Sequence, residues 1–265
     1  MLNPGGKRLI HVEELRARLS ANRVTVGTFL KLHGLEAVEL AHQAGLDFGV
    51  LDLEHSQLGE HDARQAASHA AALGFPVIVR LPVLDAGVVN RLLEAGAAGI
   101  QLSSVRNRAT SAALAAACRY APEGTRSISV AHPAASYGAI GLEDYLATTR
   151  AAPPLVVAQI ETATTDDSLV DTVAAVDVVF IGLSDLSVDL GVAGQFGAPR
   201  VLERIDEIAG IARDLGQHLG AWVPDMARAR SLVEKGARYI VVGSDVQLLQ
   251  QGLLRLGSEL RTLSS

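Results

Sequence analysis

The sequence predicts a (β/α)8 barrel, and three observations predict it. Eight short apolar runs alternate with stretches of helical periodicity. The runs are continuously apolar, as parallel strands covered on both faces are. Polar residues close several of them: Asp52, Glu54 and His55 in FGVLDLEH, Arg80 in PVIVR, Glu161 in PLVVAQIE, and Asp185 in VVFIGLSD. The carboxyl ends of barrel strands form the mouth where active sites assemble. An open doubly wound sheet is the other arrangement of such units, but no GxGxxG follows the first run.

The elements follow in order along the chain. A helix at about 8–20 precedes the barrel and is expected to cross its bottom. Strand one is 24–30 (VTVGTFL), and its helix, 34–45, stops at Gly45. Strand two is 48–53 (FGVLDL), with a helix over 59–73. Strand three is 76–81 (PVIVRL), with a helix over 85–95 that stops at Gly96. Strand four is 99–102 (GIQL), with a helix over 107–120. Strand five is 155–160 (LVVAQI), with a helix over 167–175. Strand six is 177–182 (DVVFIG), and Pro199 sits in the first turn of its helix, 199–216. Strand seven is 219–223 (LGAWV), and Asp225 suits the cap of the helix 225–236. Strand eight is 239–243 (YIVVG), with a helix over 244–262 capped by Ser244 or Asp245. Two connections are long, 121–154 and 184–198, and both are expected to reach the mouth.

Composition narrows the function. A chain of 265 residues suits one barrel domain over 1–265. A net charge of -6 and few aromatic residues argue against nucleic acid or a membrane surface as partner. No apolar stretch approaches the length of about 18 residues that a membrane span needs. The amino terminus has no apolar signal core. Cys118, the only cysteine, falls in a helical stretch and is read as a buried structural thiol. A cytoplasmic protein is the expectation.

The polar strand ends suggest a chemistry. Glu161 and Asp185 close strands five and six, neighbours in the barrel, so their carboxylates can approach. Two carboxylates with open positions suit Mg²⁺ or Mn²⁺; alternatively each is a helix cap or an ion-pair partner. Arg80 suits a bidentate carboxylate clamp, or an ion pair with Asp52 or Glu54. His55 is the only histidine at a strand end and suits a general base, though a lone histidine is often structural. His33 and His132 lie in segments expected near the mouth. Of three lysines, Lys7, Lys31 and Lys235, only Lys31 falls at the mouth, which disfavours Schiff-base chemistry and favours a metal-stabilised enolate.

With these residues in view, the sequence resembles the metal-dependent (class II) pyruvate aldolases, which include 4-hydroxy-2-oxoheptanedioate, 2-dehydro-3-deoxyglucarate and 2-keto-3-deoxyrhamnonate aldolases. The resemblance runs over about 24–255 and is carried by GLDFGVLDLEHS, VIVRLP, LLEAGAAGIQL, CRYAPEGTR, VVAQIET, VVFIGLSDLSVDLG and VVGSD. It implies Glu161 and Asp185 as ligands of Mg²⁺, Mn²⁺ or Co²⁺. It implies Arg80 as the residue that stabilises pyruvate carboxylate and enolate. It implies His55 as the base, acting on the 4-hydroxyl through water, with Asp52 as its support and Glu94 as the carboxylate that pairs with it. Gln159, Ser184 and Trp222 complete the implied substrate pocket, for a 2-oxo acid and an aldehyde. The resemblance further implies a homo-oligomer, a dimer that exchanges the helix 244–262 and assembles into hexamers.

Several positions depart from the family's usual residues: Ser56, Ser103 and Ser127, Glu94 for aspartate, Ala134 for arginine, and Leu183 for proline. They spare Arg80, His55, Glu161 and Asp185, so an enolate reaction with altered substrate preference is expected. The other readings are an enolate enzyme that couples oxaloacetate decarboxylation to carbon–carbon bond formation, and a non-catalytic binding barrel. Trp222, where the resembled enzymes carry an aliphatic residue, either lines the aldehyde side or packs in the barrel wall.

Overall fold

A computed structural model describes residues 10–263, and the expected barrel is closed, with all eight strands parallel and each paired to the next. The elements are α1 (Ile10–Ser20), β1 (Thr25–Leu30), α2 (Glu36–Gln43), β2 (Phe48–Asp52), α3 (Glu60–Leu73), β3 (Val77–Leu81), α4 (Ala86–Ala95), β4 (Gly99–Leu102) and α5 (Arg108–Cys118). Next come α6 (Leu142–Ala151), β5 (Leu155–Ile160), α7 (Leu169–Val173), β6 (Val178–Ile181), α8 (Leu183–Asp189) and α9 (Pro199–Asp214). The chain closes with β7 (His218–Val223), α10 (Met226–Glu234), β8 (Ala237–Ser244) and α11 (Asp245–Leu263). The first two residues of the expected amino-terminal helix, 8–9, lie outside the described residues.

Two apolar layers hold the barrel. One lies between strands and helices and is rich in alanine on the faces of α3 and α5, which lets these two helices pack close to the sheet. The other fills the interior: Phe48, Val50, Ile78, Val157, Phe180 and Tyr239 meet there, and Val12, Leu15 and Leu19 of α1 close the bottom. The spacing of those three α1 positions places them on one helix face. Among the described residues no helix is long and apolar enough to cross a membrane.

One expectation is corrected. The stretch 121–154 does not reach the mouth: none of its residues lines the cavities there. It follows a helix, not a strand, so it belongs at the opposite end of the barrel. Its short 3-10 segment, Pro133–Gly138, packs on α3 and α4, and Tyr120, Ala135 and Tyr145 form a small core beneath it. His132 is used there as a local cap, its Nδ1 accepting from Ala135 N. The second long connection, 184–198, does reach the mouth: it opens with α8, and Phe196 stands edge-on to Trp222 at 6.4 Å.

Candidate active site

The mouth holds a cavity of about 770 Å³ whose lining includes Arg80, His55, Gln159, Asp185 and Trp222. Strand register explains the convergence. Asp52 stands beside Arg80, and Arg80 beside Gln101, on β2, β3 and β4.

Asp52 is the electrostatic centre of one wall. Its side chain is fully buried, and Arg80 grips it bidentately, Nε to Oδ1 at 2.9 Å and Nη2 to Oδ2 at 2.7 Å. Lys31 Nζ adds a second cation at 3.0 Å from Oδ2. The backbone N–H groups of Glu54 and His55 donate to Oδ1 at 3.0 and 3.2 Å. Burial pushes the Asp52 carboxyl up, but the hydrogen bonds and charges of Arg80 and Lys31 outweigh it and hold the carboxyl at about 2. Asp52 thus fixes both Arg80 and the turn that carries His55.

Arg80 also pairs with Glu54, Nη1 to Oε2 at 3.1 Å, and lies over the Phe29 ring at 4.3 Å. These contacts use one N–H on each guanidinium nitrogen, so Nη1 and Nη2 each keep one for a ligand in the cavity. Both readings of Arg80, ion-pair partner and carboxylate clamp, are therefore compatible in one side chain. His55 is half-exposed at the rim, its Nε2 3.7 Å from Glu54 Oε2.

Glu161 follows β5 and lines a neighbouring cavity at the mouth. Gln159 Nε2 donates to its Oε2 and Ser104 Oγ to its Oε1. Burial raises its pKa above the ordinary value; the two hydrogen bonds oppose that, and the nearby charges of Asp185 and Glu54 add to it. Asp185, in the first turn of α8, is exposed to the mouth and shares a second cavity of about 280 Å³ with Glu161 and His55. Gly182 makes room for this arrangement: a Cβ there would sit 2.5 Å from Glu161 Oε2.

The donor set fits a hard divalent cation. Both candidate ligands are carboxylates, and the charge of Asp185 acts on Glu161. Among the described residues no group of three His, Cys, Asp or Glu side chains converges on one point. Glu161 and Asp185 would therefore hold a cation with most positions left to water and substrate oxygens.

Other expected site residues separate into two groups. Ser184 and Trp222 line the main cavity, and Trp222 Nε1 donates to Gly243 O at 3.2 Å. Glu94 is elsewhere. It lies in the last turn of α4, two residues before Gly96, whose carbonyl oxygen is 3.2 Å from His11 Nε2 of the bottom helix. Its carboxylate accepts from Asn90 Nδ2 at 3.3 Å. The structure brings Glu54, not Glu94, to His55 of the same chain. Sequence reasoning missed Lys31 as a partner of Asp52, and Ser103, which donates to Glu54 Oε2 at 2.5 Å. The signal for Ser103 was the pair Ser103–Ser104 closing β4, polar residues at a strand end like the others.

A closed parallel barrel with paired carboxylates, an arginine clamp and a histidine at its mouth defines an enzyme, and the relatives make it a carbon–carbon lyase. Residues 25–251 match the HpcH/HpaI aldolase/citrate lyase family, and the chain belongs to that family. It is similar to 5-keto-4-deoxy-D-glucarate aldolase of Escherichia fergusonii, 32% identical over 94% of this chain and 96% of that one. Among solved structures it is similar to the HpcH/HpaI aldolase of Desulfitobacterium hafniense, with TM-score 0.87 and 29% identity over 93% of this chain and 96% of that one. It is also similar to an HpcH/HpaI aldolase/citrate lyase family protein of Burkholderia cenocepacia, with TM-score 0.85 and 28% identity over 94% and 99% of the two chains.

Proposed function

We propose that this chain is a divalent-metal-dependent aldolase that cleaves 4-hydroxy-2-oxo acids to pyruvate and an aldehyde. The observation that carries the reading is a pair of adjoining cavities at the mouth, one lined by Arg80 and the other by Glu161, with Asp185 and His55 lining both and Arg80 held rigid by Asp52. The free N–H groups of Arg80 receive the substrate carboxylate. His55, half-exposed and oriented by the Asp52-bound turn, takes the C4 hydroxyl proton through a water. The C3–C4 bond then breaks as the C4 oxygen becomes the aldehyde carbonyl, its electrons pass to the enolate of pyruvate, the aldehyde departs, and the proton taken by His55 returns through water to C3 to give pyruvate. A cation held by Glu161 and Asp185 supplies Lewis-acid stabilisation of the enolate charge when bound. Arg80 adds fixed positive charge where that charge develops. Trp222 and Phe196 bound the aldehyde side.

The relative's substrate makes 5-keto-4-deoxy-D-glucarate the first compound to test. Pyruvate release is measured from a panel of 4-hydroxy-2-oxo acids with oxaloacetate included, under EDTA, Mg²⁺, Mn²⁺ or Co²⁺. Metal-dependent retro-aldol release supports the proposal. Activity on oxaloacetate alone replaces it with the decarboxylating enolate enzyme, and silence throughout replaces it with a binding barrel. Trp222→Ala is expected to widen the range of aldehydes accepted in the aldol direction; an unchanged range removes Trp222 from the pocket.

The proposal extends to assembly. Leu248, Leu249, Leu253, Leu254, Leu256 and Leu260 of α11 are exposed, although a helix of this length in a monomer buries one apolar face. Exchange of α11 with a second copy covers them. Leu253→Ser/Leu254→Ser is expected to shift the sedimentation mass toward the monomer; an unchanged mass removes α11 from the interface.

A further inference from the structure

Three polar side chains form a line inside the barrel, just below the mouth. Gln101 on β4 is fully buried, and Gln159 and Glu161 are nearly so. Gln101 Nε2 donates to Gln159 Oε1 at 2.6 Å, and Gln159 Nε2 donates to Glu161 Oε2. An ionised carboxylate accepts hydrogen bonds and has none to give. Glu161 therefore obliges Gln159 to present its amino group, and the Gln159 carbonyl then needs a donor behind it. Gln101 is that donor.

The polarity of the relay leaves a remainder. Gln101 Oε1 is buried with no partner, a rare condition that calls for a reason. Turning the Gln101 amide over would set its oxygen against that of Gln159 at hydrogen-bonding distance, which is repulsive. A leucine at 101 would fill similar space and carry no orphan acceptor. The amide therefore stands at a cost to stability, and donation to Gln159 is the interaction that offsets it.

We propose that Gln101 is a positioning residue for the cation ligand Glu161, acting through Gln159. Its donation locks the Gln159 amide, and the locked amide holds the Glu161 carboxylate toward the cavity. The inference rests on the metal-dependent reading above. Partners that orient a metal ligand are worth about 10- to 100-fold in metal affinity or activity.

The test is Mn²⁺ binding followed by electron paramagnetic resonance on wild type, Gln101→Leu, Gln101→Met, Gln159→Leu and the Gln101→Leu/Gln159→Leu double variant. Circular dichroism and melting curves report folding, and Gln101→Met carries the test if Gln101→Leu does not fold. Gln101→Leu and Gln101→Met are expected to raise the Mn²⁺ dissociation constant about tenfold. The double variant is expected to bind as Gln159→Leu does alone, since one break already cuts the relay. Binding by a folded Gln101 variant as tight as wild type overturns the positioning role. Losses that multiply in the double variant overturn it too, because they mean that Gln101 acts by another route. Absence of saturable Mn²⁺ binding in wild type is a different failure: it overturns the metal-dependent reading itself.

Discussion

The two ends of the barrel are closed by opposite means. At the bottom, α1 seals the interior with Val12, Leu15 and Leu19, and the titratable group it buries, His11, is kept uncharged. At the mouth, the buried groups are charges: Asp52 under Arg80 and Lys31, with Glu54 beside them. Apolar area stabilises the bottom directly. Paired charges at the mouth lose in desolvation much of what they gain in attraction. The residue types at the mouth are therefore explained by chemistry rather than by stability, and the difference separates what each end contributes to the working enzyme.

Arg80→Lys is the strongest attack on this comparison. It keeps the charge but loses the planar fork that bonds Asp52 and leaves N–H groups for substrate. We expect kcat/KM to fall about 10³-fold, the scale of losing a donor to a developing oxyanion, while the protein stays folded. Leu15→Ala is the mirror experiment. It should cost about 3 kcal/mol of stability in a urea titration, with kcat/KM unchanged at temperatures where the variant is folded. If Arg80→Lys unfolds the chain or Leu15→Ala slows catalysis, the division between the ends fails.

Acid titration sharpens the comparison, because the two ends titrate in different windows. Burial lowers His11 to about 4, against a weaker opposing effect of its hydrogen bond to Gly96 O. An unfolded His11 takes up a proton through pH 6.5 and the folded one only near 4, so stability falls as pH drops across that interval, by about 3 kcal/mol. Asp52 behaves in the same sense at lower pH. Its depressed folded pKa contributes stability above pH 3.8, about 2 kcal/mol, which is lost as pH falls toward 2. The bottom should therefore weaken before the mouth. Burial shifts His132 and His218 in the same direction as His11, so His11→Asn should flatten part of the slope between pH 7 and 4 in urea titrations. An unaltered slope would remove His11 from the account.

The two ends also differed in how far the sequence disclosed them. The interior strands were legible nearly to the residue, as in 48–53 against Phe48–Asp52, because each is a closed apolar run. Legible strand ends made Asp52, Glu54, Arg80 and Glu161 legible as a set. α8 was not: it buries only Leu183, Leu186 and Ser187, too few for a period to show. α6, with Tyr145 and Thr149 buried, was hidden in the same way within a stretch read as loop. Lys31 on Asp52 and Ser103 on Glu54 escaped notice because they depend on side-chain reach between neighbouring strand ends, which strand order does not specify. The stretch 121–154 was misplaced although chain order held the answer, since whatever follows a barrel helix lies at the bottom; Glu94, in the last turn of α4, stands away from His55 of its own chain for the same reason.

Ser104 offers the smallest effect and the finest test of the mouth. Its φ of 52° is left-handed, a conformation that strains a residue with a Cβ. Its hydroxyl donates to Glu161 Oε1. Ser104→Ala loses the hydrogen bond and keeps the strain. Ser104→Gly loses the same bond but releases the strain. The glycine variant should therefore be the more stable of the two by about 1 kcal/mol, while both bind Mn²⁺ less tightly than wild type and to the same extent. Equal stabilities would mean that the backbone at 104 relaxes once the hydroxyl is gone, and that the Glu161 contact is what imposes the left-handed turn. Unequal Mn²⁺ affinities would mean that the backbone conformation, rather than the hydrogen bond, sets the position of Glu161.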